Sequence, residues 1–323
     1  MLYLGEEHIR QIGFQWEELV DCIETAVSAI DAGDCVQPLK PYLRYRNPRN
    51  RMIAMPAYVG GPIHSAGLKW IASFPGNLDH GLPRAHSVTI LNDADTGRPT
   101  AMINTALVSA ARTAAVSGLM LRHWLAAKSP SFRLRVGIIG WGPVGRLHAD
   151  MCRRLYGDRT DFLYAFDIRG VKEDVFEDAG AGVPFRTAGS WQELYAACNI
   201  VMTCTVSDDR YIDRPPSPGS LLLDVSLRDY RLEAIRRISA VVVDDWNEVC
   251  RENTDIELLH LHNGLAKSGT IALTDVVCRQ ALSRLDETEP VLFCPMGMAS
   301  FDIAAAAWYA RQAAARGIGM TLS

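Results

Sequence analysis

The first hundred residues alternate between apolar and polar positions in short runs. Residues 17–32 carry apolar side chains at helical spacing and stop before Gly33, which predicts an amphipathic helix. Three later runs, 51–59, 66–73 and 86–91, have the character of strands, and the segment 93–97 is predicted to be a hairpin turn. This part of the chain is therefore predicted to be an antiparallel α+β domain.

The pattern changes after Thr105. Residues 106–128 are rich in Ala and Leu and predict a long helix, and short apolar runs then alternate with helical segments. The predicted strands are 134–140, 161–167, 200–205, 221–225 and 240–244, with a helix at 191–198. Such alternation is typical of βαβ units around a parallel sheet. An Ala-rich helix over 302–316 is expected to return to the first domain.

Composition narrows the classes of partner. The chain has 323 residues and a formal net charge of −4, without a basic tract, which argues against nucleic acid as a partner. Apolar runs are far shorter than the roughly 20 residues of a membrane helix, so no membrane partner is expected. Residues 1–13 lack the apolar region of a signal peptide, which predicts a cytoplasmic protein. The eight cysteines form no C-x-x-C pair and no H-E-x-x-H motif occurs, so we expect buried thiols and no metal site.

A glycine-rich turn, G-W-G-P-V-G, directly follows the β-branched run 135–139 and precedes a helical segment. In such a turn the first glycine allows a tight bend, the second admits a pyrophosphate, and the third lets helix and strand pack closely. Free amides at the helix start then bind phosphate. The predicted cofactor-binding residues of the turn are Gly140, Gly142, Pro143, Val144 and Gly145.

Asp167 ends the next predicted strand, 22 positions after Gly145. An acid about 20 residues beyond the turn accepts hydrogen bonds from ribose hydroxyls and repels a 2′-phosphate, which favours NAD over NADP. Arg169 is close enough to pair with such a phosphate, so NADP stays open as an alternative. Thr205, Val206 and Ser226 are also predicted to contact the cofactor.

Two cations of the first domain lie among apolar neighbours: Lys69 in a strand-like run and Arg112 in the Ala-rich helix. A buried charge is costly unless it is paired, so each is either part of a structural salt bridge or part of a site. Several converging cations would form a clamp for carboxylates. Spacing alone leaves these two interpretations open.

Several segments resemble the ornithine cyclodeaminase/mu-crystallin family, in order and spacing. They are Met55-Pro56-Ala57, Gly67-Leu68-Lys69, the turn 93–97, residues 111–115, the glycine turn, and Gly297-Met298-Ala299 with Asp302. The resemblance implies an α/β fold, with a Rossmann-type doubly wound parallel sheet over 113–300. This domain would be inserted in a smaller α+β substrate-binding and dimerisation domain, formed by 1–112 and 301–323.

The same resemblance implies where the substrate lies. It places Lys69 and Arg112 beside the substrate, with Arg112 on a carboxylate, and Lys40 in the place of a family Arg with Arg44 close by. Arg84 stands where the cyclodeaminases have Thr, and Arg228 stands on the position of their catalytic Asp, with Asp229 one residue later. Extra cations in place of a base favour a substrate with more carboxylates than ornithine.

The segments 69–77 and 226–229 are similar to one branch of the family, the dehydrogenases that make L-2,3-diaminopropionate for siderophores and peptide antibiotics. That branch oxidises the tricarboxylate N-(1-amino-1-carboxy-2-ethyl)glutamate with NAD and also yields 2-oxoglutarate. Lys69 is a candidate base if burial and cationic neighbours lower its pKa, and Asp229, one position after the family Asp, is a rival base. The alternatives are an ammonia-releasing cyclodeaminase that recycles NAD, a mu-crystallin-like nucleotide-dependent binding protein, and an imine reductase. A homodimer is expected.

Overall fold

The structure is a computed structural model that describes residues 1–172, 182–207 and 209–322. The chain divides into two compact units: Met1–Arg112 with Gly297–Ser323, and Thr113–Met296. The predicted return to the first domain was residue 301, and the contacts place it at Gly297. The reason is local, because the carbonyl of Gly297 accepts from Lys40 and the amide of Ser300 donates to Gln37, both in the first unit.

The first unit is a largely antiparallel sheet with helices. The strands are β1 (Leu2–Gly5), β2 (Cys35–Val36), β3 (Tyr42–Leu43), β4 (Arg51–Val59), β5 (Ser65–Ser73), β6 (Ala85–Asp93), β7 (Pro99–Asn104) and β16 (Met320–Thr321). Their order in the sheet is β16-β1-β7-β6-β5-β4-β2, with β3 paired to β4. Among the described strands of this unit, β1 and β7 are the one parallel pair. The helices are α1 (Glu6–Ile12), α2 (Trp16–Asp31), the start of α3 (Leu107–Ala126) and α10 (Ala299–Arg316).

Apolar spacing explains why α2 and α10 belong to this unit. Helix α2 buries a stripe that includes Leu19, Ile23 and Val27, as expected for a helix that is apolar on one side. Helix α10 begins at Ala299, three residues before its predicted start, and its first three turns are buried throughout. Small side chains let it pack closely on the sheet, where a Cβ on Gly67 of β5 would come within 3.0 Å of Ile303 Cδ1.

The second unit is a parallel sheet, and the predicted α/β class is confirmed. The strands are β8 (Leu134–Ile139), β9 (Thr160–Phe166), β10 (Phe185–Thr187), β11 (Ile200–Thr203), β12 (Leu221–Asp224), β13 (Ala240–Val243), β14 (Ile271–Ala272) and β15 (Val291–Cys294). Their order in the sheet is β10-β9-β8-β11-β12-β15-β13-β14. Its helices are α4 (Pro143–Tyr156), α5 (Trp191–Ala197), α6 (Leu232–Ile235), α7 (Trp246–Val249), α8 (Asp255–Asn263) and α9 (Leu273–Arg279).

The strand order reverses at β8. The chain goes from β8 to β9 and β10 on one side, then returns to β11 and β12 on the other. In an open α/β sheet, ligands bind at such a switch point, outside the carboxyl ends of the strands. The glycine turn directly follows β8 and therefore lies at that point.

Candidate functional site

Three charged side chains converge inside the first unit. Asp302 of α10 accepts a hydrogen bond from Lys69 Nζ of β5 at 2.7 Å and another from Arg112 Nε of α3 at 2.8 Å. Each carboxylate oxygen serves one cation, and all three residues are at most 7% exposed. We call Lys69, Arg112 and Asp302 the charged cluster. The two cations that the sequence singled out are therefore paired through a third residue.

The buried environment of Lys69 favours the neutral form of its amine. Burial lowers the pKa of its amine to about 7, although Asp302 acts in the opposite direction. The positive charges of Arg112 and Lys40 add to the lowering. The amine also donates to Ser109 Oγ at 3.1 Å. A lysine with a pKa near neutrality is suited to acid–base chemistry.

Asp302 was not assigned to the site from sequence. Burial alone would raise the pKa of its carboxyl, but Arg112 and Lys69 outweigh this effect and hold it below its usual value. A sequence feature that could have pointed to Asp302 is its place as an acid in the first turn of an otherwise Ala-rich helix. Its partner Lys69 is 233 positions away, and no local pattern reveals such a contact.

Lys40 and Gly297 complete the surroundings of Arg112. Lys40 is 5% exposed, and its Nζ donates to the carbonyl of Gly297 at 2.8 Å. Gly297 has φ of 80°, and a Cβ on it would lie 2.7 Å from Arg112 Nη1. Only glycine fits here, because the backbone is left-handed and the guanidinium occupies the space of a side chain. The structure thus brings Lys40, Lys69 and Arg112 together.

Arg84 and Arg44 make their described contacts elsewhere. Arg84 Nη2 donates to Ser73 Oγ at 3.2 Å, at the end of β5. Ser73 is four residues beyond Lys69, which corresponds to about 13 Å along a strand. Arg44 is exposed, with its guanidinium 4.9 Å from the centre of the Tyr42 ring. Their assignment to the substrate stays a prediction.

The glycine turn has the shape that a pyrophosphate requires. Gly140 has φ of 100°, and a Cβ on Gly145 would lie 2.0 Å from the carbonyl oxygen of Gly140. A Cβ on Gly142 would meet no described atom within 4 Å. Helix α4 begins with Pro143, and no side chain of the described residues caps its first turn. Its amides, including those of Val144 and Gly145, therefore suit an anion, and the turn fits a dinucleotide.

Asp167 is fixed against the glycine turn. Its Oδ2 accepts from the amide of Trp141 at 2.7 Å, and its Oδ1 accepts from the amide of Arg169 at 2.8 Å. Trp141 is in turn anchored, because its indole Nε1 donates to the carbonyl of Lys172 at 3.0 Å. Each carboxylate oxygen can accept more than one hydrogen bond, so Asp167 can still serve ribose hydroxyls. A 2′-phosphate on that ribose would be repelled by the negative charge of the Asp167 carboxylate.

The ends of two neighbouring strands meet near Asp229. Thr205 follows β11 and Ser226 follows β12, and the Thr205 amide donates to Ser226 Oγ at 3.1 Å. Both hydroxyls donate to the Asp229 carboxylate, Ser226 at 2.5 Å to Oδ2 and Thr205 to Oδ1. Val206, next to Thr205, is 51% exposed. Asp229 is fully buried and ties together two of the segments predicted to contact the cofactor.

The side chain of Arg228, the residue before Asp229, donates hydrogen bonds to backbone carbonyls. Its Nε and Nη2 donate to the carbonyl of Glu252 at 3.1 and 2.8 Å, and Nη1 donates to the carbonyl of Ser226 at 3.4 Å. These bonds give Arg228 a part in holding its own loop. A role on the substrate, which the sequence suggested, stays a prediction.

Two further acids support this loop and were missed from sequence. Asp255 Oδ2 accepts from the amides of Asp229 and Tyr230, and its Oδ1 accepts from Arg210 Nε at 2.6 Å. Burial raises the pKa of Asp255 to about 6 even though Arg210 opposes this. Asp224, at the end of β12, is fully buried, and burial raises its pKa well above the usual range. The apolar strand that contains Asp224 was predicted from sequence, but the burial of the Asp224 carboxyl depends on the sheet around it.

In the described part of the chain, no helix combines the length and apolar character needed to cross a membrane. Across residues 1–172, 182–207 and 209–322, no group of three or more His, Cys, Asp or Glu side chains is arranged to hold a metal ion.

The chain is similar to known proteins in sequence and in structure. A Staphylococcus aureus protein named N-((2S)-2-amino-2-carboxyethyl)-L-glutamate dehydrogenase is 34% identical, over 100% of this chain and 98% of its own length. The structure of Thermococcus litoralis Δ1-pyrroline-2-carboxylate reductase, in complex with NADH and L-proline, has a TM-score of 0.85 at 22% identity, covering all of both chains. An archaeal alanine dehydrogenase dimer with bound NAD has a TM-score of 0.78 at 22% identity, covering 100% of this chain and 99% of that one.

The model of the ornithine cyclodeaminase/mu-crystallin family matches residues 7–317. This match spans both structural units and includes the charged cluster and the glycine turn. The resemblance seen in the sequence segments is confirmed, including the branch to which the staphylococcal relative belongs. The chain belongs to the ornithine cyclodeaminase/mu-crystallin family.

Proposed function

We propose that this protein oxidises N-(1-amino-1-carboxy-2-ethyl)-L-glutamate with NAD and releases L-2,3-diaminopropionate and 2-oxoglutarate. The observation that carries the proposal is the charged cluster, in which an amine with a pKa of about 7 lies beside a guanidinium suited to a carboxylate. The substrate is taken from the name of the staphylococcal relative, which matches over the whole chain. The predictions of an NAD-dependent dehydrogenase and of NAD as cofactor are confirmed by the named relatives and neighbours.

The chemistry needs one base and a means of binding carboxylates. NAD, when bound, supplies the acceptor for the hydride that leaves the glutamyl α-carbon. Neutral Lys69 takes the proton from the substrate nitrogen, so that a C=N bond forms as the C–H bond breaks. Water then adds to the imine carbon, and the C–N bond breaks to give the amine of diaminopropionate and the ketone of 2-oxoglutarate.

Lys69 is the better candidate for the base. It is neutral in a large fraction of molecules near pH 7, because burial lowers its pKa to about 7. Asp229, the other candidate, has both carboxylate oxygens bonded to hydroxyls of its own chain and is fully buried. Those bonds favour a role for Asp229 in holding the loops of Thr205 and Ser226.

Cationic side chains are proposed to bind the three carboxylates of the substrate. Arg112 is proposed to bind one of them, because a guanidinium offers several donors in a fixed plane and Asp302 uses Nε. Lys40 adds positive charge nearby and keeps the backbone at Gly297 in place. Arg84, Arg44 and Arg228 are proposed for the remaining carboxylates.

The use of the product, the location of the reaction and the oligomeric state are also proposals. Diaminopropionate would serve as a precursor for a siderophore or a peptide natural product, in the cytoplasm. A homodimer is proposed because one neighbouring structure is described as a dimer. The small-molecule partner is an amino-acid conjugate.

An assay with the glutamate conjugate and NAD tests the function. We expect NADH to accumulate together with equal amounts of 2-oxoglutarate and diaminopropionate, measured by absorbance and mass spectrometry. Lys69→Met should lower kcat by about 100-fold or more, because general base catalysis contributes this much. Ammonia release without lasting NADH would instead identify a cyclodeaminase, and the proposal would be wrong.

A further inference from the structure

The two hydrogen bonds of Lys69 define a direction in space. A neutral amine has two N–H bonds and one lone pair. The Lys69 amine has two acceptors, Asp302 Oδ2 at 2.7 Å and Ser109 Oγ at 3.1 Å. When both N–H bonds are used in this way, the lone pair points away from both acceptors, in a fixed third direction.

Asp302 is well suited to hold such an amine. It is 1% exposed and lies in the first turn of α10, where the helix dipole favours a negative charge. The adjacent charge of Arg112 keeps the pKa of its carboxyl low, so it remains an acceptor at neutral pH. Its other oxygen is bonded to Arg112 Nε, which prevents the carboxylate from rotating.

We propose that Asp302, together with Ser109, is a positioning residue that aims the lone pair of Lys69 at the nitrogen of the substrate. Asp302 also links this base to Arg112, so that one carboxylate orients both the proton acceptor and the group that binds the substrate. The inference rests on the proposed function for the identity of the substrate, whereas the orientation of Lys69 does not depend on it.

The charges around Lys69 predict the effect of losing Asp302. The charged groups that act on the amine are Asp302 on α10, Arg112 on α3 and Lys40 before β3. On the neighbouring strands, the residues in register with Lys69 are Met55 and Thr89, which carry no charge. Because Asp302 is the group that raises the pKa of Lys69, an uncharged residue there leaves burial and two cations to lower it further.

A purely structural ion pair would behave differently. If Asp302 only joined α10 to β5 and α3, its replacement would reduce stability and the amount of active enzyme. Loss of the Asp302 charge would lower the pKa of Lys69 in either case, but removal of the uncharged acceptor Ser109 would then leave kcat unchanged. The kcat of a Ser109 variant therefore separates positioning of the base from structural support.

The test compares Asp302→Asn, Ser109→Ala and the parent protein in kcat/KM between pH 5 and 9. The acid limb is the part of the pH profile in which kcat/KM rises from low pH. In Asp302→Asn the acid limb should move to lower pH by about one unit, the size expected for losing one nearby charge. Ser109→Ala removes one acceptor but no charge, so kcat should fall about tenfold, the size expected for losing one hydrogen bond, while the limb stays in place. The substrate's own ionisation is common to all three proteins and cancels. An unchanged kcat in Ser109→Ala, an unmoved limb in Asp302→Asn, or an equal shift of the limb in Ser109→Ala would overturn the proposal.

A second readout does not need activity. Trace acetylation of the folded protein with acetic anhydride, followed by mass spectrometry of each lysine, gives the pKa of Lys69 with exposed Lys267 as internal control. Asp302→Asn should lower the pKa of Lys69 and leave Lys267 unchanged. If Lys69 of the parent protein titrates near the usual 10.5, the proposal is wrong. If the shift is found but the conjugate is not oxidised, only the proposed substrate is wrong.

Discussion

At the scale of single residues, Gly297 offers a test of how Arg112 is held. Replacement by Ala should raise KM for the substrate about tenfold, because the new Cβ would lie 2.7 Å from Arg112 Nη1 and displace the guanidinium. The left-handed backbone, with φ of 80°, adds a strain of about 1 kcal/mol. Steady-state kinetics and urea unfolding measure the two effects.

Gly317→Ala is the matched control for this prediction. Gly317 also has a positive φ, 63°, but its Cβ would meet no described atom within 4 Å. We expect a similar loss of stability, about 1 kcal/mol, with KM unchanged. If both variants had the same KM as the parent protein, Arg112 would not depend on the space at Gly297.

Single residues of the site also differ in how far their role can be predicted from sequence. Lys69 and Arg112 were singled out because each is a charge among apolar neighbours, and the structure buries both. Asp302 was missed because its role exists only once α10 lies against β5. The same holds for Asp255, whose bonds to the 229–230 backbone join segments 25 and 26 residues apart.

At the scale of elements, the glycine turn combines a ligand role and a folding role at different positions. Gly142→Ala should weaken NAD binding by about tenfold or more and leave stability unchanged, because its Cβ meets no described atom but occupies the proposed pyrophosphate position. Gly145→Ala should instead destabilise the protein, because its Cβ would lie 2.0 Å from a carbonyl oxygen. Titration with NAD and thermal denaturation distinguish the two.

Equal effects of these two variants on NAD binding and on stability would contradict this division of roles.

Trp141 provides an optical signal for the titration, since it lies in the turn and its amide donates a hydrogen bond to Asp167. Its ring is also packed against Phe185, at 5.2 Å between ring centres. A ligand that reorganises the turn should therefore change the fluorescence of the indole.

Element boundaries followed from sequence where the apolar period was clear. The predicted segments 51–59 and 66–73 correspond to β4 and β5, and 106–128 corresponds to α3. The short helices α6 and α7, of four residues each, were not predicted, because one turn gives no period to detect. Helix α10 was placed three residues late, since the missed first residues include Ser300, which resembles a surface residue until it is buried.

At the scale of the whole molecule, the class change along the chain predicted an insertion. Antiparallel pairing in the first unit and parallel pairing in the second are the two patterns seen in sequence. Sequence could not predict which loop residues meet at the strand ends, because β11 and β12 are neighbours only after the sheet has formed. Thr205, Ser226 and Asp229 are linked for that reason.

The proposed reaction also makes a prediction for the complete enzyme. If deuterium replaces the glutamyl α-hydrogen of the conjugate, we expect the label in NADH, because the hydride comes from that carbon. In ¹⁸O-labelled water, the keto oxygen of 2-oxoglutarate should carry ¹⁸O at early times, because water cleaves the imine. Mass spectrometry of rapidly quenched samples measures both, with 2-oxoglutarate incubated alone as the control for exchange. Label retained in the amino-acid product, together with free ammonia, would show that NAD is recycled and that the protein acts as a lyase.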